Sequence, residues 1–128
     1  MVPAMDVLRS LARTNGLGRA VIGATLIVAP SVVAKPWIGE DELSDGAKLF
    51  GRSLGARDLA LGLGVLLAMK EDAPVRGWLE ASALADLVDA GATLVHWKKL
   101  PPQGRAAVLA IATVSAIQCA VVARAIDD

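Results

Sequence analysis

The stretch from Leu49 to Met69, LFGRSLGARDLALGLGVLLAM, places Arg52, Arg57 and Asp58 among residues that are otherwise uncharged. A helix of this length and composition is expected to span a membrane. Lipid does not tolerate unpaired ionisable side chains, so each of the three needs a partner on another helix. This demand constrains the fold more than any other feature. The remaining apolar segments have to pack around this one and bring its counter-charges with them.

Composition agrees. The 128-residue chain fits one domain and is 55% hydrophobic before its 12 glycines are counted. Soluble domains usually carry less. Charged residues are 20% of the chain and cancel to zero, which leaves no basic field for nucleic acid. A lone cysteine, Cys119, excludes an internal disulfide, and with His96 it makes no zinc site. No cofactor is expected. Gly16-x-Gly18 lacks a preceding strand, and no phosphate loop, GxSxG or HExxH element occurs. The competing fold is an Ala-rich soluble four-helix bundle. The three acids of the third helix favour it, and the breadth of the apolar faces opposes it.

In chain order, residues 3 to 14 form a short amphipathic helix suited to the headgroup level, with Arg9 and Arg13 one turn apart. Asn15-Gly16 is expected to break it. The chain then divides into an N-terminal segment, 1–16, and a helical membrane domain, 17–128. The first span runs from Leu17 to Ala34, kinked by Pro30 and ended at Lys35-Pro36. The same region also fits a secretory signal, with Arg9, Arg13 and Arg19 ahead of the apolar run and Val32-Val33-Ala34 at its end. An acidic loop precedes the central span. Lys70 to Pro74 turn the chain into a third span, Val75 to Trp97, and the fourth is Ala106 to Ala123, with no charge in it. The expected class is all-α: a four-helix transmembrane bundle with a short amphipathic N-terminal helix.

Trp78 and Trp97 bracket the third helix about 28 Å apart, near the thickness of a hydrocarbon core. With Trp37 they suggest an interfacial belt. Six basic residues on the side of the termini against five on the other favour both termini in the cytoplasm.

The third span carries a polar stripe. Ser82, Asp86, Asp89, Thr93 and His96 follow spacings of 4, 3, 4 and 3, which keeps them on one face. That face is expected to meet Arg57 and Arg52. Adjacent residues on a helix point apart, so Arg57 and Asp58 are expected to seek partners elsewhere. Arg19 is expected near the level of Glu80. Counted together, Arg19, Arg52 and Arg57 face Asp58, Glu80, Asp86 and Asp89. The surplus of one acid predicts that Asp86 or Asp89 holds a proton. Gly51, Gly55 and Gly62 line one side of the central helix and allow close backbone approach. Ser115, Gln118 and Cys119 share a face of the last helix.

At Gly55-Ala56-Arg57-Asp58-Leu59-Ala60-Leu61-Gly62 the chain resembles a group of small bacterial four-span membrane proteins of uncharacterised function. These carry a Gly-x-Arg-Asp-x-x-x-Gly element in the second span and an acidic third span, as in Leu84-Ala85-Asp86-Leu87-Val88-Asp89. The resemblance covers about Leu17 to Arg124. It implies a four-helix fold in the bacterial inner membrane and no particular activity.

The expected function is binding of a lipophilic small molecule beside the Arg–Asp cluster. Asp86, Asp89 and Asp58 are the candidate acid–base residues. Arg52, Arg57, Glu80, Ser82, Thr93 and Gln118 are the candidate ligand contacts. If the ligand is converted, cofactor-free isomerisation, cyclisation or epoxide opening suits two carboxyl groups in unlike settings. A non-catalytic assembly subunit of a membrane complex is the alternative from another class. A dimeric proton-coupled transporter is a third, since four short spans enclose little volume. The lipid bilayer is the expected partner, and a homo-oligomer fits the transporter reading.

Overall fold

The computed structural model describes residues 3–128. Five α-helices occur in order: α1 (Ala4–Val28), α2 (Pro30–Ile38), α3 (Asp45–Lys70), α4 (Arg76–Val95) and α5 (Pro102–Ala123). A short 3-10 turn, Trp97–Lys99, joins the last two. The described residues contain no strand, so the all-α class stands.

Punctuation in the sequence sets most of the helix ends. The Ser44 hydroxyl accepts a hydrogen bond from the Ala47 amide and starts α3. Gly39 ends α2 with φ of 76°, a left-handed conformation that glycine adopts without a steric penalty. Pro30 and Pro102 open their helices at the first helical position, where no amide bond is lost. The first turn of α4 is served from a distance. Asp127, near the C-terminus, accepts hydrogen bonds from the backbone amides of Val75 and Arg76.

Two expectations about the first half are corrected. The chain does not break at Asn15-Gly16: α1 runs through both residues as one 25-residue helix. Gly16 packs against Gly62 and Val65 on α3, and Asn15 is held by α5. The kink expected at Pro30 is present, but the end expected at Lys35-Pro36 is not. The chain bends by 98° at Ala29, between α1 and α2. Pro30 has no amide to continue α1, and α2 runs on past Lys35-Pro36 to Ile38.

The principal seams join α1 to α3 and α4 to α5. The first is a glycine seam between antiparallel helices: Gly23 lies on Gly55, and Gly16 lies on Gly62. A Cβ added at Gly55 would stand 2.6 Å from the Gly23 carbonyl oxygen and 2.7 Å from Leu26 Cβ. Backbone meets backbone there, and no larger residue fits. The helices thus do not all gather round α3, as the sequence suggested. They form two pairs.

The core mixes large side chains, among them Leu26, Val65, Met69 and Leu79, with many small ones. Ala12, Ala20, Ala68, Ala83, Ala112 and Ala116 are buried, together with six glycines of α1 and α3. Large apolar side chains are exposed on every α-helix, among them Val21, Val32, Phe50, Leu67, Leu87, Val95 and Ile117. Soluble domains bury their large apolar side chains.

One helix, α5, is long and apolar enough to cross a membrane, and α1 with α2 reach that mark only when taken together across their bend. Helices α3 and α4 have the length. Each is interrupted by charge: Arg52, Arg57 and Asp58 on α3, and Glu80, Asp86 and Asp89 on α4.

Candidate functional site

The buried charges converge from three helices. Arg19, alone among the apolar residues of α1's second half, is only 8% exposed. Its guanidinium donates through NH1 to Asp58 Oδ1 at 3.2 Å and through NH2 to Asp86 Oδ2 at 2.6 Å. A planar fork with several donors can span two carboxylates in this way, and a lysine cannot copy the geometry. Asp58 and Asp86 are 8% and 6% exposed.

Arg57 closes the second half of the cluster. It binds Asp89 through two parallel bonds, 3.0 Å to Oδ1 and 2.7 Å to Oδ2. It also donates to Asp58 Oδ1 from Nε and NH2, at 3.1 and 2.9 Å. The sequence argued that neighbours on a helix point apart. The long arginine stem overcomes that divergence and folds the fork back on its neighbour. Asp58 Oδ1 therefore joins the two arginines into one network.

Helix α5 adds a neutral polar contact. Ser115 donates to Asp86 Oδ2 at 2.6 Å and accepts from Arg19 NH2 at 3.3 Å and Asn15 Nδ2 at 2.9 Å. With Asp86 ionised, the serine hydroxyl donates to it and accepts from Asn15. This fixes the amide orientation and leaves Asn15 Oδ1 without a partner. Arg19 Nε is also buried and unpartnered.

A cavity of about 590 Å³ adjoins the network, within the usual range for small-molecule sites. Asn15, Arg19, Asp58, Asp86, Asp89, Ser115 and Gln118 form its polar wall. Leu26, Val33, Leu54 and Val108 supply apolar lining, and Trp37 of α2 borders it. Ile22, Ile111 and Val114 also line it and are themselves exposed. They frame a mouth on the side of the bundle, between α1 and α5.

Of the sequence candidates, Asp58, Asp86 and Asp89 lie together at the cavity, and Gln118 borders it. Arg57 acts behind the wall by holding Asp58 and Asp89. Ser82 and Thr93 are buried but do not reach the cavity. Their hydroxyls donate to the carbonyls one turn back, of Trp78 and Asp89, and Thr93 also accepts from Trp37 Nε1 at 3.2 Å.

Arg52 and Glu80 are corrected. Arg52 is exposed, and its Nε donates at 3.1 Å to the carbonyl of Ile27, in the last turn of α1. It serves an otherwise unpaired helix end beside the bend. Glu80 lies on the outer face of α4 in an i, i+4 pair with Arg76 at 2.8 Å. Depth counted along a helical hairpin gives a side chain's level and not its direction, and both residues have the right level.

The sequence counted Arg19 among the buried charges and put Ser115 on a polar face with Gln118, but named neither of them, nor Asn15, as a site residue. The signal for Arg19 was present. Gly16 and Gly23 have the same spacing as Gly55 and Gly62, and matching them antiparallel brings Arg19 level with Asp58. Trp37 was assigned to an interfacial belt, and its indole instead bonds Thr93 and borders the cavity.

No family model, no curated protein and no solved structure matches the chain.

Proposed function

We propose that this chain is a small integral membrane protein that binds a lipophilic small molecule in the cavity beside Arg19, Asp58 and Asp86. The observation that carries this reading is the cavity's two-ended build. One end is a buried ionic network, and the other is a mouth framed by outward-facing Ile22, Ile111 and Val114. A ligand dissolved in the bilayer would enter sideways through that mouth and present its polar group to the carboxylates. The large apolar side chains exposed on every helix support the membrane part, because outward Leu, Ile, Val and Phe suit hydrocarbon better than water. Helix association through small residues supports it as well.

In this reading α1, α3, α4 and α5 span the bilayer, with charges on α3 and α4 neutralised between helices. α2 lies across the bundle at the headgroup level, and both termini face the cytoplasm of a bacterial inner membrane. The Gly-x-Arg-Asp-x-x-x-Gly element belongs to the proposal, since Arg57 and Asp58 are its charged pair. Conversion of the ligand by acid–base chemistry is the further step. Asp58 Oδ2 and Asp86 Oδ1, which accept no hydrogen bond among the described residues, are the groups placed to carry it.

Two measurements test the reading. The chain is expected to stay with membranes through alkaline carbonate washing and to leave them only with detergent. Recovery as a monodisperse protein in plain buffer would overturn the membrane part. In nanodiscs of zwitterionic lipid, the neutral fluorophore N-phenyl-1-naphthylamine is expected to bind saturably at one site and to lose that site in Val114→Trp, which plugs the mouth. A linear signal equal to that of empty nanodiscs would overturn the cavity assignment and favour a purely structural cluster in an assembly subunit.

A further inference from the structure

The chemistry of the unfilled hydrogen bonds specifies the head group of the occupant. This step rests on the cavity reading just given. The network holds two guanidinium groups, Arg19 and Arg57, and three carboxyl groups, Asp58, Asp86 and Asp89. Arg52 and Glu80 lie outside it. With every member ionised, it lacks one positive charge, which is costly in a buried site; either the proton expected from the sequence or a cationic ligand would supply it.

Two acceptors at the cavity's polar end, Asp58 Oδ2 and Asp86 Oδ1, have no donor among the described residues. Asp58 and Asp86 are each more than nine-tenths buried, and both form part of the cavity wall. An alkylammonium group carries one positive charge and three donors. It matches both deficits, whereas a carboxylate would add to the negative charge and a hydroxyl could donate only once. The apolar remainder of the cavity takes the hydrocarbon.

We infer that the occupant is a protonated lipophilic amine, with its ammonium group held by Asp58 and Asp86.

The test compares dodecylamine, dodecanol and dodecanoate as displacers of N-phenyl-1-naphthylamine from the full chain in nanodiscs at neutral pH, where the amine is protonated. Dodecylamine is expected to displace the probe at a concentration at least about tenfold lower than dodecanol, with dodecanoate weaker than both. Asp58→Asn leaves two arginines facing two aspartates, a balanced set, and is expected to keep the fold. In that variant the preference for the amine should shrink towards unity while dodecanol displacement is unchanged. Equal displacement by dodecanol and dodecylamine in the wild type would overturn the inference and leave the cavity reading intact. So would an amine preference that survives both Asp58→Asn and Asp86→Asn. Failure of the fluorophore itself to bind would instead count against the cavity reading.

Discussion

Arg19 and Asp86 lie 67 positions apart in the chain and 2.6 Å apart in space, with Asp58 on the other arm of the same guanidinium. One side chain on α1 thus ties α3 to α4, the two helices whose charges disqualify them as simple apolar spans.

Removing that side chain leaves two buried carboxylates facing each other. Arg19→Met is expected to destabilise the protein by about 3–5 kcal/mol, the range for breaking a buried ion pair from one side. Arg19→Lys keeps the charge but not the fork, and should recover only part of the loss. Unfolding in mixed micelles with increasing denaturing detergent measures both. A loss under about 1 kcal/mol for Arg19→Met would show that the network does not hold the helices together.

Arg52 and Arg57 are five residues apart on α3 and are expected to behave differently. Arg52→Gln removes one hydrogen bond to a helix-end carbonyl and should cost under about 1 kcal/mol. Arg57→Gln strands Asp89 and should cost several times more. The same unfolding assay compares them directly. Equal losses would contradict the separation of the two residues.

Glycine substitutions should divide by location. Gly55→Ala forces a methyl group against the Gly23 carbonyl and Leu26, an overpacking expected to cost about 1–3 kcal/mol. Gly91→Ala on α4 meets nothing within 4 Å and should gain up to about 1 kcal/mol from helix propensity. Thermal unfolding of the two variants side by side gives the sign of each effect.

Asp127 offers a test far from the cavity. Asp127→Ala removes the acceptor for the Val75 and Arg76 amides and should cost about 1 kcal/mol, as the loss of a helix cap does. Hydrogen exchange at those two amides should accelerate. Unchanged exchange would mean that water serves the helix end equally well.

The sequence was most informative where one local rule acts alone. The Lys70 to Pro74 turn marks the end of α3 and the start of α4, whereas α3 and α5 begin four residues earlier than expected, at Asp45 and Pro102, where Ser44 and the Pro101-Pro102 pair open them. The convergence of Arg57, Asp58, Asp86 and Asp89 follows from the cost of burying charge. Local rules failed where tertiary contacts overrule them. Asn15-Gly16 looks like a break when read alone, yet α3 and α5 provide each residue with a partner inside α1. Arg52 and Glu80 share the depth of the cluster but point elsewhere, and rotation about a helix axis is decided by neighbours. Ser115 shares a polar face with Gln118, but Asn15 and Trp37 carry no distinctive local pattern, so their place at the cavity becomes visible only in three dimensions.

The seam between α1 and α3 also bears on how this protein can diverge. With backbone pressed against backbone at Gly23, Gly55 and Gly62, those three sites have no freedom to drift. The outward Leu, Ile and Val side chains, by contrast, can interchange at little consequence. Descendants of this chain would accordingly be recognised by the spacing of their smallest residues rather than by the identity of their largest.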